Sequence, residues 1–524
     1  MPRRTLLIAG CALAVAAGAF RVTAPPGPGL DPDALQYLGA ARALVADGAL
    51  RVPLAAWWSD STAEPLSHFP PGYSVVLAAP IALGADARLA ARLVQAVAAG
   101  LTTATLMLLL WPAAGAWGAV LGAVALTLSP AFVMVHLAVL SEPLFLALVT
   151  FALWGFTRRP RDAWLHGLTA AAATMVRYAG LSVAGAAALW AMLDTSASWR
   201  DRLRRATIAV APSLLAMMVW SRTHKPDRTL ALNDGWGATL QQGVRTAGHL
   251  LAPSLEWEPV PWLAAGAMLT ALAAMSWRAA RAPRDDTPDD RDRGAQHESA
   301  GAVLAASAVL IFAYVALIVA SRAVADRGIP FDFRIAAPLV PLATASLVLM
   351  AFRAWRATSR PWRVVGTLAL TIWGAAAART DFSQVREALT YGNDFASRDW
   401  RDSPTLAWVR AQDPARALYT NFPCAIWFHL DRVARGLPGT LDPATMREFV
   451  ARLRATHGAV VAWNERNVDM APNDSIVMRA GLVRVAAFDD GSVFEPAPLA
   501  DTVAPPLPAK NPAAPPVAPP PARH

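Results

Sequence analysis

The sequence predicts a multi-pass α-helical membrane protein with a small α/β domain and a disordered Pro-rich tail toward its C-terminal end. Three observations carry that prediction. The 524-residue chain is 55% hydrophobic and 16% charged. Its apolar runs are long enough to cross a hydrocarbon layer of roughly 30 Å. Its arginine clusters alternate with those runs, and after Thr380 the composition changes to that of ordinary soluble sequence.

Apolar runs fall at 5–22, 88–110, 116–135, 141–157, 163–177, 181–193, 206–221, 261–277, 300–320, 334–352 and 364–379. These make about eleven transmembrane helices, an odd number, so the two ends of the chain are expected on opposite sides. The first run follows Arg3 and Arg4 and also fits a signal peptide, but ahead of so many later spans an uncleaved first helix is the expectation. Arg3 and Arg4, "RRPR" at Arg158, "WRDRLRR" at Arg200, "WRAARAPRDD" at Arg278 and "RAWRATSRPWR" at Arg353 all fall on one side of this arrangement. That places the N-terminus in the cytoplasm and the C-terminal domain outside an inner (plasma) membrane. "RYAG" at Arg177 is expected at a tight external turn between two short helices. The formal net charge of +9 follows from these clusters and does not indicate a nucleic-acid partner. Cys11 sits in the first span and Cys424 far downstream, so no disulfide is expected.

Three external regions follow: 23–87, 222–260 and everything after 380. In the first, "GYSVVLAAPIALGA" is too short to span and is interrupted by Pro80, which suits an interfacial or re-entrant helix. After Thr380, "SPTLAWVRAQ" reads as a helix, "ALYTN" as a strand, "MREFVARLRATHGAVVAWNE" as a helix leading into a buried strand, and "LVRVAAFDDGSVFE" as a hairpin about Asp490-Gly491. The domains are thus 1–380 in the membrane, 381–495 as a soluble α/β unit, and 496–524 as a Pro/Ala-rich tail that cannot bury a core.

The polar residues worth attention lie at the external ends of the spans. In "GLDPDALQYLGAARAL", Asp31 followed by Pro32 is a helix-capping pattern, which leaves Asp33 without a structural duty. Tyr37 is four residues after Asp33 and shares its helix face. In "EPLSHFPPGYS", prolines and a glycine fix a turn that presents His68, Phe69 and Tyr73 at the membrane surface. "HLAVLSEPLFLAL" puts Glu142 at a helix boundary, where Ser141 is available as a cap and where a carboxylate is costly unless it functions.

Taken together these pieces resemble the GT-C superfamily of membrane glycosyltransferases, and within it the bacterial branch related to protein O-mannosyltransferases and lipid A aminoarabinose transferases. The resemblance rests on Asp33 and Tyr37 in the first external loop, "PPGY", "SEP" and the late "FRIAAPLVPL", and covers residues 1–380. It implies transfer of a sugar from a polyprenyl-phosphate donor to a glycan, lipid or protein acceptor at the outer face of the membrane, with inversion. It implies Asp33 and Glu142 as catalytic acids, and Arg334, with Arg177 or His68, as holders of the donor phosphate. Tyr37, Phe69 and Tyr73 are expected beside the substrate, with Trp57 and Trp58 packing on prenyl units or a sugar ring. Aminoarabinose transferases carry a Lys just before the prolines where this chain has "SHFPPGY", so the resemblance does not extend to that donor. No cofactor and no metal site is expected, because Glu64, His68, His136 and His249 are scattered. The rival reading, a transporter or flippase of lipid-linked sugars, would show repeated halves with interrupted helices, and the sequence shows none.

Overall fold

The computed structural model describes residues 3–223, 241–242, 245–246, 288–324, 332–357, 359–465, 467 and 470–498. The expected span 261–277, most of the region 222–260 and residues 499–524 of the tail lie outside them. The membrane part begins with α1 (Arg3–Val22), α2 (Pro32–Asp47), a two-stranded pair β1 (Arg51–Val52) and β2 (Glu64–Pro65), and α3 (Gly72–Ala82). It continues through α4 (Ala87–Thr127), α5 (Pro130–Leu137), α6 (Glu142–Arg158), α7 (Ala163–Val176), α8 (Leu181–Leu193) and α9 (Trp199–Thr223). Then come α10 (Pro288–Val324), the single turn α11 (Phe333–Ala336), α12 (Leu339–Ala357) and α13 (Arg360–Thr390). Among the described residues, five helices are long and apolar enough to cross a membrane: Arg3–Val22, Ala87–Thr127, Trp199–Arg222, Glu298–Ala323 and Leu339–Arg356. The chain is a membrane protein.

Two sequence expectations change here for local reasons. The runs 88–110 and 116–135 divide in the gap expected between them, since the 41-residue α4 is broken at Gly115, whose φ of 68° and ψ of −168° leave the helical region, but the second run does not continue unbroken to 135. Glycine takes that conformation at little cost because it has no Cβ. The second run then stops ahead of Pro130, and α5 restarts with that proline in its first turn. Likewise the run 364–379 belongs to a 31-residue helix, α13, which continues past Thr380. The boundary read from composition at that residue therefore falls inside a helix.

Small side chains set the packing. Helix α1 lies along α4, α4 also meets α6 and α12, and α7, α8 and α9 pack on one another. The buried face of α4 is largely Ala90, Ala91, Ala98, Ala99 and Ala119. In lipid, where apolar side chains gain nothing by leaving the solvent, such residues let backbones approach and make dispersion contacts. Helix α3 has only 11 residues and contains Pro80, so it is too short to span.

Beyond α13 come α14 (Arg398–Arg401), α15 (Pro404–Arg410), β3 (Leu418–Thr420), α16 (Pro423–Leu430), β4 (Arg435–Gly436), α17 (Pro443–Ala455), β5 (Ala459–Trp463), α18 (Asn473–Ala480), β6 (Leu482–Ala487) and β7 (Gly491–Pro496). The sheet order is β4-β3-β5-β7-β6, with β3 parallel to β4 and β5, and β7 antiparallel to β5 and β6. Every residue of β5 is buried, as an apolar central strand must be. Asp490, in the β6–β7 turn, accepts hydrogen bonds from the Ser403 and Thr405 hydroxyls and so ties the hairpin to the start of α15.

The first loop is part of this domain's wall. The Gly436 amide donates to the Ala55 carbonyl at 3.0 Å, Arg42 forms a two-pronged ion pair with Asp431 at 2.6 and 2.9 Å, and Arg452 pairs with Asp60. Trp57 is 7% exposed and stands edge-on to Phe449, with ring centres 5.9 Å apart. The expectation that Trp57 packs on a prenyl chain or sugar is thereby corrected: it fills the core between first loop and C-terminal domain. Trp58 stands edge-on to Trp57 and is exposed.

Candidate active site

Three distant segments meet in a short parallel crossing. The Gly29 amide donates to the Leu137 carbonyl at 2.8 Å, the Val139 amide to the Gly29 carbonyl at 2.8 Å, and the Phe395 amide to the Leu30 carbonyl at 3.2 Å. Gly29 is needed for close approach: a Cβ there would lie 2.7 Å from Asp394 Oδ2, 3.0 Å from Asn393 Cβ and 3.1 Å from Ala138 Cβ. The crossing launches α2 on one side and α6 on the other. Their first residues therefore face each other.

Helix α2 begins as its sequence dictates. The Asp31 carboxylate accepts from the Ala34 amide at 2.8 Å, Pro32 occupies the first turn, and Asp33 follows within it. Helix α6 begins with Glu142, placing a carboxylate at the positive end of the helix dipole. Arg177 lies on extended backbone between α7 and a 3₁₀ turn, Tyr178–Gly180. Arg334 rides on α11, which Asp332 caps by accepting from the Ile335 amide at 2.9 Å; the Tyr314 hydroxyl donates to the Ile335 carbonyl at 2.7 Å.

These elements bring their charged ends together. Arg334 Nε contacts Glu142 Oε1, its Nη2 contacts Asp33 Oδ2, and its Nη1 lies 3.4 Å from Asp31 Oδ2. Arg177 Nη1 is 2.7 Å from the same Glu142 Oε1 and donates to Ser141 Oγ at 3.0 Å. The Tyr37 hydroxyl is 3.2 Å from Ser141 Oγ. Glu142 is fully buried, and without both arginines its charge would be costly in that position. An aromatic wall adjoins: Tyr37 lies 4.8 Å from Phe69 and 4.9 Å edge-on from Tyr73, ring centre to ring centre. The buried Tyr73 hydroxyl has no hydrogen-bond partner among the described residues.

The structure thus brings together Asp33, Tyr37, Glu142, Arg177 and Arg334, with Phe69 and Tyr73 beside them. His68 is exposed and stands edge-on to Phe69, at the rim of this group. Sequence reasoning assigned Asp31 only a capping duty, and it also reaches Arg334 with its second oxygen. Ser141 makes no capping bond; its hydroxyl links Tyr37 to Arg177. Asp394, beside Gly29 and with a positive φ of 51°, carried no sequence signal at all. Among the described residues, no group of three or more His, Cys, Asp or Glu side chains is placed to hold a metal ion.

Burial, and secondarily the neighbouring Asp33 carboxylate, push Asp31 up to about 8. The sign follows directly. A carboxyl whose pKa is higher folded than unfolded favours the folded state most below its unfolded value near 4, and that contribution is lost as pH rises toward about 8. Asp31→Asn keeps the cap and removes the titration. The variant should therefore lose less stability than the wild type between these limits, as read from thermal midpoints across the pH range.

Comparison with solved structures places the fold. ArnT from Cupriavidus metallidurans bound to undecaprenyl phosphate superposes with a TM-score of 0.57 at 14% identity, covering 94% of this chain and 98% of that one. The arabinofuranosyltransferase AftD from mycobacteria gives 0.51 at 16% identity, covering 95% of this chain and 40% of that one. The Archaeoglobus fulgidus oligosaccharyltransferase gives 0.50 at 12% identity, covering 86% and 68%. All three are glycosyltransferases, and the fold of this chain is the GT-C fold. No protein-family model matches the sequence, and no curated protein matches it.

Proposed function

We propose that the protein is an integral membrane glycosyltransferase that moves a sugar from a polyprenyl-phosphate donor to an acceptor hydroxyl at the outer face of the membrane. The observation that carries this reading is the convergence of Arg334 on Asp33 and Glu142, with Arg177 beside them. Displacing a phosphate from an anomeric carbon requires a base for the acceptor proton and positive charge for the departing phosphate. In this reading the acceptor oxygen attacks the anomeric carbon while the carbon–phosphate-oxygen bond breaks. Asp33 takes the acceptor proton, and Arg334 receives the phosphate oxygens through its planar fork. One displacement inverts the anomeric centre. Phe69, half-buried, and the exposed His68 are placed to meet the donor, while Tyr37 and Tyr73 are fully buried and back Phe69 from within, which removes the expectation that they touch substrate directly. The helices through α13 form the catalytic membrane part, with the N-terminus cytoplasmic and the C-terminal domain outside. The GT-C fold, the arginine sidedness and the capture of undecaprenyl phosphate by ArnT support that arrangement.

Membranes carrying equal amounts of wild type, Asp33→Asn or Asp31→Asn, supplied with a radiolabelled polyprenyl-phosphate sugar pool, test the assignment. Loss of a positioned base lowers rates by about 10²–10⁴-fold. That loss is expected for Asp33→Asn, whereas Asp31→Asn retains transfer. Wild-type rates from Asp33→Asn would reject Asp33 as base. Absence of transfer by the wild type, with movement of the lipid-linked sugar across the bilayer, would make the protein a flippase.

A further inference from the structure

Arg334 is bonded through three nitrogens: Nε to Glu142, Nη2 to Asp33 and Nη1 toward Asp31. Those N–H groups are the ones a phosphate would use, because the planar fork presents few others in the same direction. Arg177 is likewise occupied by Glu142 and Ser141. Glu142, Asp33 and Asp31 all stand against the two arginines. A phosphate that entered without displacing a carboxylate would add an uncompensated charge in a partly buried site.

The three carboxylates differ in how firmly they are held. Glu142 is fully buried, shared between both arginines and fixed at the start of α6. Asp31 is bound by the Ala34 amide through its other oxygen. Asp33 is 23% exposed and, among the described residues, has Arg334 as its one side-chain partner. It is the carboxylate that gives way at least cost.

We propose that Arg334 exchanges Asp33 for the lipid phosphate, so that arrival of the donor is what releases Asp33 to act as base. This rests on the glycosyltransferase reading above and adds its regulation. The ion pair with Arg334 holds Asp33 away from proton transfer until it is exchanged. Once the phosphate occupies the fork, Asp33 is freed one helical turn from Tyr37, facing the reacting carbon. Glu142 keeps hold of Arg334 and Arg177 in both states, which makes it a positioning residue. When the sugar has left, Asp33 competes with the lipid phosphate product for Arg334 and hastens its release.

The exchange predicts a counterintuitive result, that removing the proposed base strengthens binding of the lipid. Undecaprenyl phosphate is titrated against the full chain in nanodiscs as wild type, Asp33→Asn and Arg334→Lys. Removing the competitor should tighten Asp33→Asn binding roughly tenfold, as expected when one close charge pair no longer has to be broken. Arg334→Lys should weaken it, because the fork is lost. A second measurement uses the wild type alone: carbodiimide labelling of Asp33, read by mass spectrometry, should run several-fold faster with undecaprenyl phosphate present, on the principle that a freed carboxylate is accessible. If wild type binds while Asp33→Asn binds equally or more weakly, or if labelling is unchanged or slower, the exchange is overturned and the glycosyltransferase reading stands. If correctly folded wild type does not bind undecaprenyl phosphate at all, the donor reading falls and the exchange with it.

Discussion

Replacing Arg334 with Met is expected to abolish sugar transfer and to lower the thermal midpoint well beyond what loss of a surface arginine does. Methionine reproduces the unbranched stem of arginine but not its charged end, so Glu142, Asp33 and Asp31 lose their shared partner. Breaking a buried pair from one side costs about 3–5 kcal/mol, because a charge remains where water cannot reach it. Arg177 still neutralises part of Glu142, which puts the expected cost toward the lower end. Adding Asp33→Asn to Arg334→Met should restore part of the midpoint without restoring transfer. Arg334→Lys should keep most of the stability and little of the rate, since a point charge balances the carboxylates but cannot grip two phosphate oxygens. Tryptophan fluorescence on heating reads the first quantity and the labelled donor pool the second. A midpoint for Arg334→Met equal to wild type would show that the cluster carries no structural weight.

The parts of this site that sequence made legible are those decided by neighbours along the chain. Asp31 followed by Pro32 determines the start of α2, and the four-residue step from Asp33 to Tyr37 determines that both face the same way. The turn at Asp490-Gly491 and the apolar run Ala459–Trp463 were readable for the same reason. Sequence distance hid the rest. Arg334 lies 301 residues from Asp33 and 192 from Glu142, and hydropathy gives the sidedness of each but no separation between them. Asp394 reaches the crossing because Gly29 leaves room for it, a relation between two segments that neither announces. Trp57 was misjudged because an aromatic residue near a membrane surface has two suitable homes, and the choice depended on the position of β4 and α17.

The crossing at Gly29 also fastens the segment beyond α13 to the loop that follows α1. Phe395 pairs with Leu30 one residue before Asp31, and the His429 ring and the Phe395 carbonyl meet at 2.7 Å. Arg42, on the same helix as Asp33, is anchored to Asp431. The helix that carries the candidate base is therefore held from both of its neighbours, the bundle through Arg334 and the C-terminal domain through Asp431. A base required to move only when Arg334 changes partner needs a rigid support elsewhere, and these contacts provide it.

Glu142→Gln separates positioning from proton transfer. The amide fits the same volume, yet it leaves Arg177 and Arg334 facing each other across a buried site with no carboxylate between them. A loss of about 3–5 kcal/mol is expected from the unpaired charges. The double variant Glu142→Gln with Arg177→Met should be more stable than Glu142→Gln alone, because one of those charges has gone. Whatever transfer survives in Glu142→Gln should still depend on Asp33, the proposed base, and should vanish when Asp33→Asn is added. A proton-transferring Glu142 would behave otherwise: its amide alone would abolish transfer, and adding Asp33→Asn would change nothing further. The residual rate decides between them, because the loss of an anchor leaves a rate that the base still carries, whereas the loss of the base does not.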